Sequence, residues 1–378
     1  MWLGWLVRRG LVLCVSGAVA VSRSQASSWA VVDLRTGALL LGERAEELQP
    51  AGAAYQLLVL LSALEQAQLG MLPLDVPVSV DAHTLNELGS RPGEPLRLAA
   101  NKTYLFSDLL KAVLLSRSDL AAAVAAEAMW GSRDNAVEAL NERAQRLGLT
   151  STRVTGLTCE ASGNVTTAYE FARLVAVLWR EHEELRQWGT LRGFPFDEGR
   201  IVVANSHMPP SDVGVWAFYD RFRDSRRRAR LYQRLGALVS EQDGMALVAV
   251  RLGVEDVALA MENLIGNLQQ VRAEYEPVTV VRAGELLGVR VFVEGGVEPF
   301  VVPSAAEEVR IPRRKGTDGR VEVLFQLPSV VTAPVAKGER LGELVVRFDD
   351  RAWVVVPAVS PKAIGSRGVR AADVQKTR

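Results

Sequence analysis

The stretch Tyr55–Leu69, inside QPAGAAYQLLVLLSALEQAQLG, constrains this chain more than any other: its composition is helical, yet it is apolar on every side. A surface helix keeps a polar face, so a run without one has to lie at a domain centre with other elements packed all round it. Only a chain with a sizeable core can do that. At 378 residues, 48% hydrophobic and 23% charged, this chain has the capacity, and it is long enough for two domains with separate cores.

Ahead of that helix, WAVVDLRTGALLLGER (Trp29–Arg44) reads as a hairpin turning at Arg35-Thr36-Gly37. After it, SDLLKAVLLSRSDLAAAVAAE (Ser107–Glu127) is helical in composition, with Ser107 as N-cap; Arg133–Leu147 is a further helix ending at Gly148, and Thr166–Glu181 is amphipathic. Strand-like runs at Arg200–Ala204, Tyr232–Val239 and Ala246–Leu252 follow, the last two joined by Gln242-Asp243-Gly244, and then a helix at Asp256–Arg272. This mixture predicts an α/β domain with a mainly antiparallel sheet and a large helical part. From Tyr275 the pattern changes to valine-rich runs between Gly and Pro turns, which predicts a small all-β sandwich of about 80 residues.

The ends read differently. Arg8 and Arg9 precede an apolar run from Leu11 to Val21, with Ser24 and Ala26 at cleavage spacing, so residues 1–26 read as a secretory signal. About eleven apolar residues fall short of the roughly 20 that span a bilayer, and only three stand between Gly10 and Cys14, too few for a lipidation signal. The expectation is an exported protein of the periplasm or cell envelope, starting near Ser27. Cys159 is then the sole thiol, and no intrachain disulfide can form. The tail from Ser360 to Arg378 is polar, without an apolar face for a membrane interface, and is expected to be disordered and no strong anchor. The expected divisions are 1–26, 27–273, 274–358 and 359–378.

Lys+Arg and Asp+Glu both number 44, so no global charge points to nucleic acid. The densest charge, Arg221–Arg234, reads as a solvated face ahead of a patch for anionic polymer. His83, His182 and His207 are isolated, without metal-ligand spacing; surface positions are expected for them, and no metal or cofactor is implied.

Several segments in order resemble the low-molecular-mass penicillin-binding proteins that act as D-alanyl-D-alanine carboxypeptidases. They are AVVDLRTGALLL; Thr155-Gly156-Leu157 with Asn164-Val165-Thr166-Thr167-Ala168-Tyr169-Glu170-Phe171-Ala172; and MALVAVRLG at Met245–Gly253. EYEPVTVVRAGELLGVRVFVEGG and TAPVAKGERLGELVV resemble the β-rich module that follows the catalytic domain in this family. The resemblance implies a β-lactamase/transpeptidase-like first domain and a role in peptidoglycan metabolism, with peptidoglycan stem peptides or a cell-wall protein as partner.

Members of that family acylate through Ser-x-x-Lys, Ser-x-Asn and Lys-Thr-Gly motifs: a serine to attack, a lysine to take its proton, and an anchor for the substrate carboxylate. Counting from Asp33 or back from Ala63-Leu64-Glu65, the resemblance puts nucleophile and lysine at Ala53 and Gln56. A methyl group cannot attack a carbonyl, and a carboxamide is no base near neutrality. None of the six lysines follows a serine by three residues, so the motif has not moved. The second motif falls at Ser116-Arg117-Ser118, keeping its first serine, and the third at Trp216, Ala217 and Phe218, which carry neither lysine nor glycine. The resemblance therefore implies a member whose catalytic set is not intact. The alternative is an active serine-type enzyme with displaced groups, for instance Ser116 with Asp119 or His207 as base; no Gly-x-Ser-x-Gly elbow accompanies it. Trp216, Phe218 and Tyr219 read as an apolar core strand ahead of a stacking surface.

Overall fold

The computed structural model describes residues 27–91, 94–209, 214–219, 234–254, 257–317, 320–348 and 352–367. The signal-like segment, nearly all of Arg221–Arg234 and the tail beyond Arg367 lie outside these.

A five-stranded antiparallel sheet organises the first domain. Its strands are β1 (Ser28–Asp33), β2 (Leu39–Glu43), β3 (Trp216–Tyr219), β4 (Arg234–Gln242) and β5 (Met245–Val254), in the order β2-β1-β5-β4-β3. The expected hairpins are present: β1 turns into β2 through Gly37 at φ +70°, and β4 into β5 through Asp243 and Gly244. Alternation along the strands divides the side chains between two faces. Ala30, Val32, Ala237, Val239, Val248 and Val250 face a helical layer, while Val31, Leu238, Leu247 and Ala249 face the opposite side.

The helical layer holds α1 (Ala54–Gln68), α2 (Ala82–Leu88), α3 (Phe106–Ser116), α4 (Asp119–Trp130), α5 (Arg133–Arg146), α6 (Ala168–Glu181) and α7 (Glu183–Gly189). As its composition requires, α1 is buried without interruption from Ala54 to Leu64. Its last turn emerges, and Leu69 beyond it is 74% exposed. The run Ser107–Glu127 is two helices. Arg117 enters the left-handed region at φ 57°, ending α3, and Ser118 accepts from the Ala121 amide to cap α4. Ser107 caps nothing: α3 begins one residue earlier, with Leu105 as its cap residue.

The other face of the sheet is covered by α8 (Val257–Glu274), through Leu264, Leu268 and Val271, and by the C-terminal β-sheet domain. That domain pairs Tyr275–Val281 with Val309–Arg314, and places Val291–Glu294 between Phe300–Val301 and Val330–Thr332. It also forms a four-stranded sheet from β6 (Ser304–Ala305), β7 (Val321–Gln326), β8 (Arg340–Phe348) and β9 (Ala352–Val359), in the order β6-β9-β8-β7. The two cores are not separate as expected. Leu344, Val346, Phe348, Val354 and Val356 join α8 and β1 in one apolar cluster, and only a smaller cluster around Val291, Val301, Leu341 and Ile364 belongs to the second domain alone. A small sheet has too little surface to bury its own faces, so it borrows a helix.

The start of the tail is also ordered. Ser360 and Ile364 are buried, Ile364 bridges to Val335, and Lys362 pairs with Glu298. The buried Ile364, backbone bonds to Val335, Val297 and Gly295, and the Lys362 pair together hold a stretch whose composition looks like a free end. No described helix is long and apolar enough to cross a membrane.

Candidate functional site

Three segments meet at the start of α1. Gly52 takes φ +50°, and the Ala51 amide donates to the carbonyl of Asn164, which ties the entry of α1 to the loop 153–165. The Asn164 side chain holds that loop in shape, accepting from the amides of Thr155 (2.7 Å) and Gly156 (3.2 Å). The loop thereby delivers Cys159 to the α3–α4 junction, where the Cys159 amide donates to Asp119 Oδ2 at 2.9 Å.

Asp119 is the hub. Its Oδ1 accepts from the Tyr55 hydroxyl (2.5 Å), the Gln56 carboxamide (2.8 Å) and the Cys159 thiol (3.1 Å). Gln56 Nε2 also donates to the carbonyl of Arg117 at 3.2 Å. Tyr55 and Gln56 are fully buried, and Arg117, Asp119 and Cys159 are half-buried. Burial, reinforced by the Asp119 charge, pushes both the Tyr55 phenol and the Cys159 thiol well up. Burial pushes the Arg117 guanidinium down, against the opposing pull of the Asp119 carboxylate.

Gln56 lies against the Ser116–Ser118 junction through its bond to the Arg117 carbonyl, and Ser116 and Arg117 there are half-buried. Ala53, Gln56 and Ser118 are each 0% exposed. Ala53 occupies the N-cap of α1 with no side-chain acceptor to offer. Ser116 Oγ donates back to the Ala112 carbonyl at 2.7 Å, within its own helix, so its proton goes to a group that cannot act as a base. Ser118 Oγ donates to Glu94 Oε1, whose carboxyl burial pushes up, but this serine is fully enclosed and already serves as a helix cap.

His207 is buried against β3, not on the surface. Its Nδ1 accepts from the Tyr219 amide (3.2 Å), which places the ring proton on Nε2, and Nε2 donates to Ser206 Oγ (2.9 Å). Ser206 Oγ in turn donates to the Leu115 carbonyl at 3.0 Å. The direction of these bonds is opposite to that of a serine activated by a histidine base. His182 is also buried, and only His83 is exposed.

Trp216, Ala217 and Phe218 are buried strand residues. The rings of Trp216 and Phe218 stack at 6.0 Å and face the helical layer, where Trp216 meets Trp179 at 6.0 Å. Ala217 faces the α8 side. This strand is core, not a stacking surface. A cleft of about 1000 Å³ does exist in the helical layer, lined by α2, α4, the start of α5 and Thr155–Thr158, but none of Ala53, Gln56, Ser116 and Ser118 borders it. Among the described residues no cluster of His, Cys, Asp and Glu is arranged to hold a metal ion.

Sequence reasoning names Gln56, Ser116, Ser118 and, as a possible base, Asp119, but not Tyr55, Cys159 or Glu94 as their partners. Tyr55, Asp119, Cys159 and Glu94 act together only through folding. The one local signal was the charged pair Arg117 and Asp119 set inside an apolar run.

The family model for D-alanyl-D-alanine carboxypeptidases matches residues 16–206, and that for the C-terminal domain of penicillin-binding protein 5 matches residues 275–366. The chain belongs to the D-alanyl-D-alanine carboxypeptidase family. D-alanyl-D-alanine carboxypeptidase DacF of Bacillus subtilis is 21% identical over 355 residues, 91% of this chain and 87% of that protein. Among solved structures, a peptidoglycan synthesis regulatory factor (PBP3) from Streptococcus pneumoniae superposes with a TM-score of 0.71 at 17% identity, over 89% of this chain and 98% of the other. Penicillin-binding protein 5 from Haemophilus influenzae gives 0.62 at 19% identity, over 90% and 97%. At these identities the structural likeness speaks for the fold.

Proposed function

We propose that this is an exported, non-acylating member of its family, a pseudoenzyme of peptidoglycan metabolism that serves as a cell-wall peptide binder or scaffold. The observation that carries the reading is the hub at Asp119: the carboxamide of Gln56 is bound where a proton acceptor would be needed, next to an alanine methyl in place of a hydroxyl. The positions assigned to the degenerate motifs, Ala53, Gln56, Ser116, Ser118, Trp216, Ala217 and Phe218, form part of the proposal. So do the divisions after residues 26, 273 and 358. Binding of a stem peptide requires a surface other than the enclosed junction, whereas a scaffold requires none there.

The test is incubation of the full chain with a labelled penicillin, followed by intact-mass measurement. No adduct is expected. A penicillin-dependent mass increase abolished by Ser116→Ala would overturn the proposal and establish an active enzyme with a displaced nucleophile. Calorimetry with muropeptides then separates the binder, which gives a saturable heat, from the scaffold, which does not.

A further inference from the structure

The edge strand β7, VEVLFQ, carries four exposed apolar side chains in the C-terminal domain. It pairs with β8 on one side, and no described strand pairs with its other side. Val321, Val323, Leu324 and Phe325 are 36%, 37%, 40% and 40% exposed. An apolar edge strand is a template for further strand pairing, and proteins ordinarily block such edges with charge, proline or a bulge. β7 has none of these along its length except Glu322, which is paired with Arg320 at 3.1 Å.

The register shows what the exposed row is. Val321, Val323 and Phe325 stand opposite Phe348, Val346 and Leu344 of β8, all three of which are buried in the cluster shared with α8. The inner, core-facing row of the sheet therefore runs on into β7 and stops there half-covered.

We infer that β7 is an interface between two copies of this chain, paired antiparallel about a two-fold axis through Val323 so that the two four-stranded sheets become one. The strand is self-complementary in this register. Val323 faces Val323 of the second copy, Val321 faces Phe325, and Glu322 faces Leu324, so both apolar rows close on each other and no like charges meet. Moving the axis to Glu322 would oppose two carboxylates. An axis between Val323 and Leu324 would set Phe325 against Glu322 and break the apolar row. Four side chains at 36–40% exposure supply less than the about 800 Å² per partner of a standard interface, so the pair dissociates on dilution. This inference does not depend on whether the protein acylates.

Sedimentation velocity on the full chain, from about 1 μM to about 500 μM, reads the association. A monomer–dimer equilibrium is expected, and Val323→Lys raises its dissociation constant at least about tenfold, since it sets two ammonium groups face to face, while far-UV circular dichroism shows the monomer still folded. Mild oxidation of Val323→Cys gives a disulfide-linked dimer that the wild-type chain, with its own cysteines, does not form. A chain that stays monomeric throughout overturns the inference. So does a dimer that Val323→Lys leaves intact or that Val323→Cys fails to cross-link.

Discussion

The Gln56 carboxamide and the Asp119 carboxylate are joined by a 2.8 Å hydrogen bond across the junction of α1 and α4, and both sit within one closed network. A carboxylate here gathers a phenol, an amide, a thiol and a backbone N–H, so its removal leaves several enclosed donors without an acceptor.

Asp119→Ala is therefore expected to lower stability by about 3–5 kcal/mol, the scale for leaving buried charge and donors uncompensated. Denaturant unfolding followed by circular dichroism measures it. The native thiol of Cys159, whose thiolate burial disfavours, should react with iodoacetamide at pH 8 far more slowly than in the unfolded chain. The Asp119→Ala variant should lose much of that protection. A fast-reacting native thiol in the wild-type chain would mean that the junction is open.

His182 gives a pH dependence. Its ring is buried with no hydrogen-bond partner for either nitrogen among the described residues. Burial lowers its pKa below the ordinary value near 6.5, against the opposing pull of Glu184, Glu65 and Glu181 and with the help of Arg143. Below about pH 6.5 the unfolded chain binds a proton that the folded chain refuses, so this contribution is present at neutral pH and is lost as the solution becomes acidic. Melting temperatures of wild type and His182→Leu from pH 7.5 down to pH 5 should diverge, the variant falling less. Parallel curves would show that the histidine takes no part.

Gly189 ends α7 directly beneath Trp216: a Cβ there would come 2.4 Å from Trp216 Cδ1. The indole is held between Trp179 and Phe218 and has nowhere to move. Gly189→Ala should cost about 1–3 kcal/mol through overpacking, read from the denaturation midpoint. The same change at Gly131, with open space around its Cβ but φ +77°, should cost about 1 kcal/mol from backbone strain alone.

Much of the architecture was legible in advance because it rests on periodicity. The burial of α1, the hairpins at Gly37 and Gly244, and the change of character at Tyr275 each follow from residue pattern over a local window. The errors share a cause. Ser107 as a cap, His182 and His207 as surface residues, disorder at the start of the tail and the separate cores all depend on what a distant segment brings alongside, and composition carries no information about that.

The same division holds at the candidate site. The sequence by itself determined that no Ser-x-x-Lys or Lys-Thr-Gly is present, since a missing nucleophile is a matter of residue identity. Only the tertiary structure decided what fills the place. It set Asp119 against Gln56, Tyr55 and Cys159, turned the Ser116 hydroxyl back into its own helix, and gave the His207 proton a direction that cannot activate Ser206. Hydrogen-bond direction and enclosure are properties of positions in space, and residues as far apart in sequence as Tyr55, Asp119 and Cys159 acquire them only when the chain has folded.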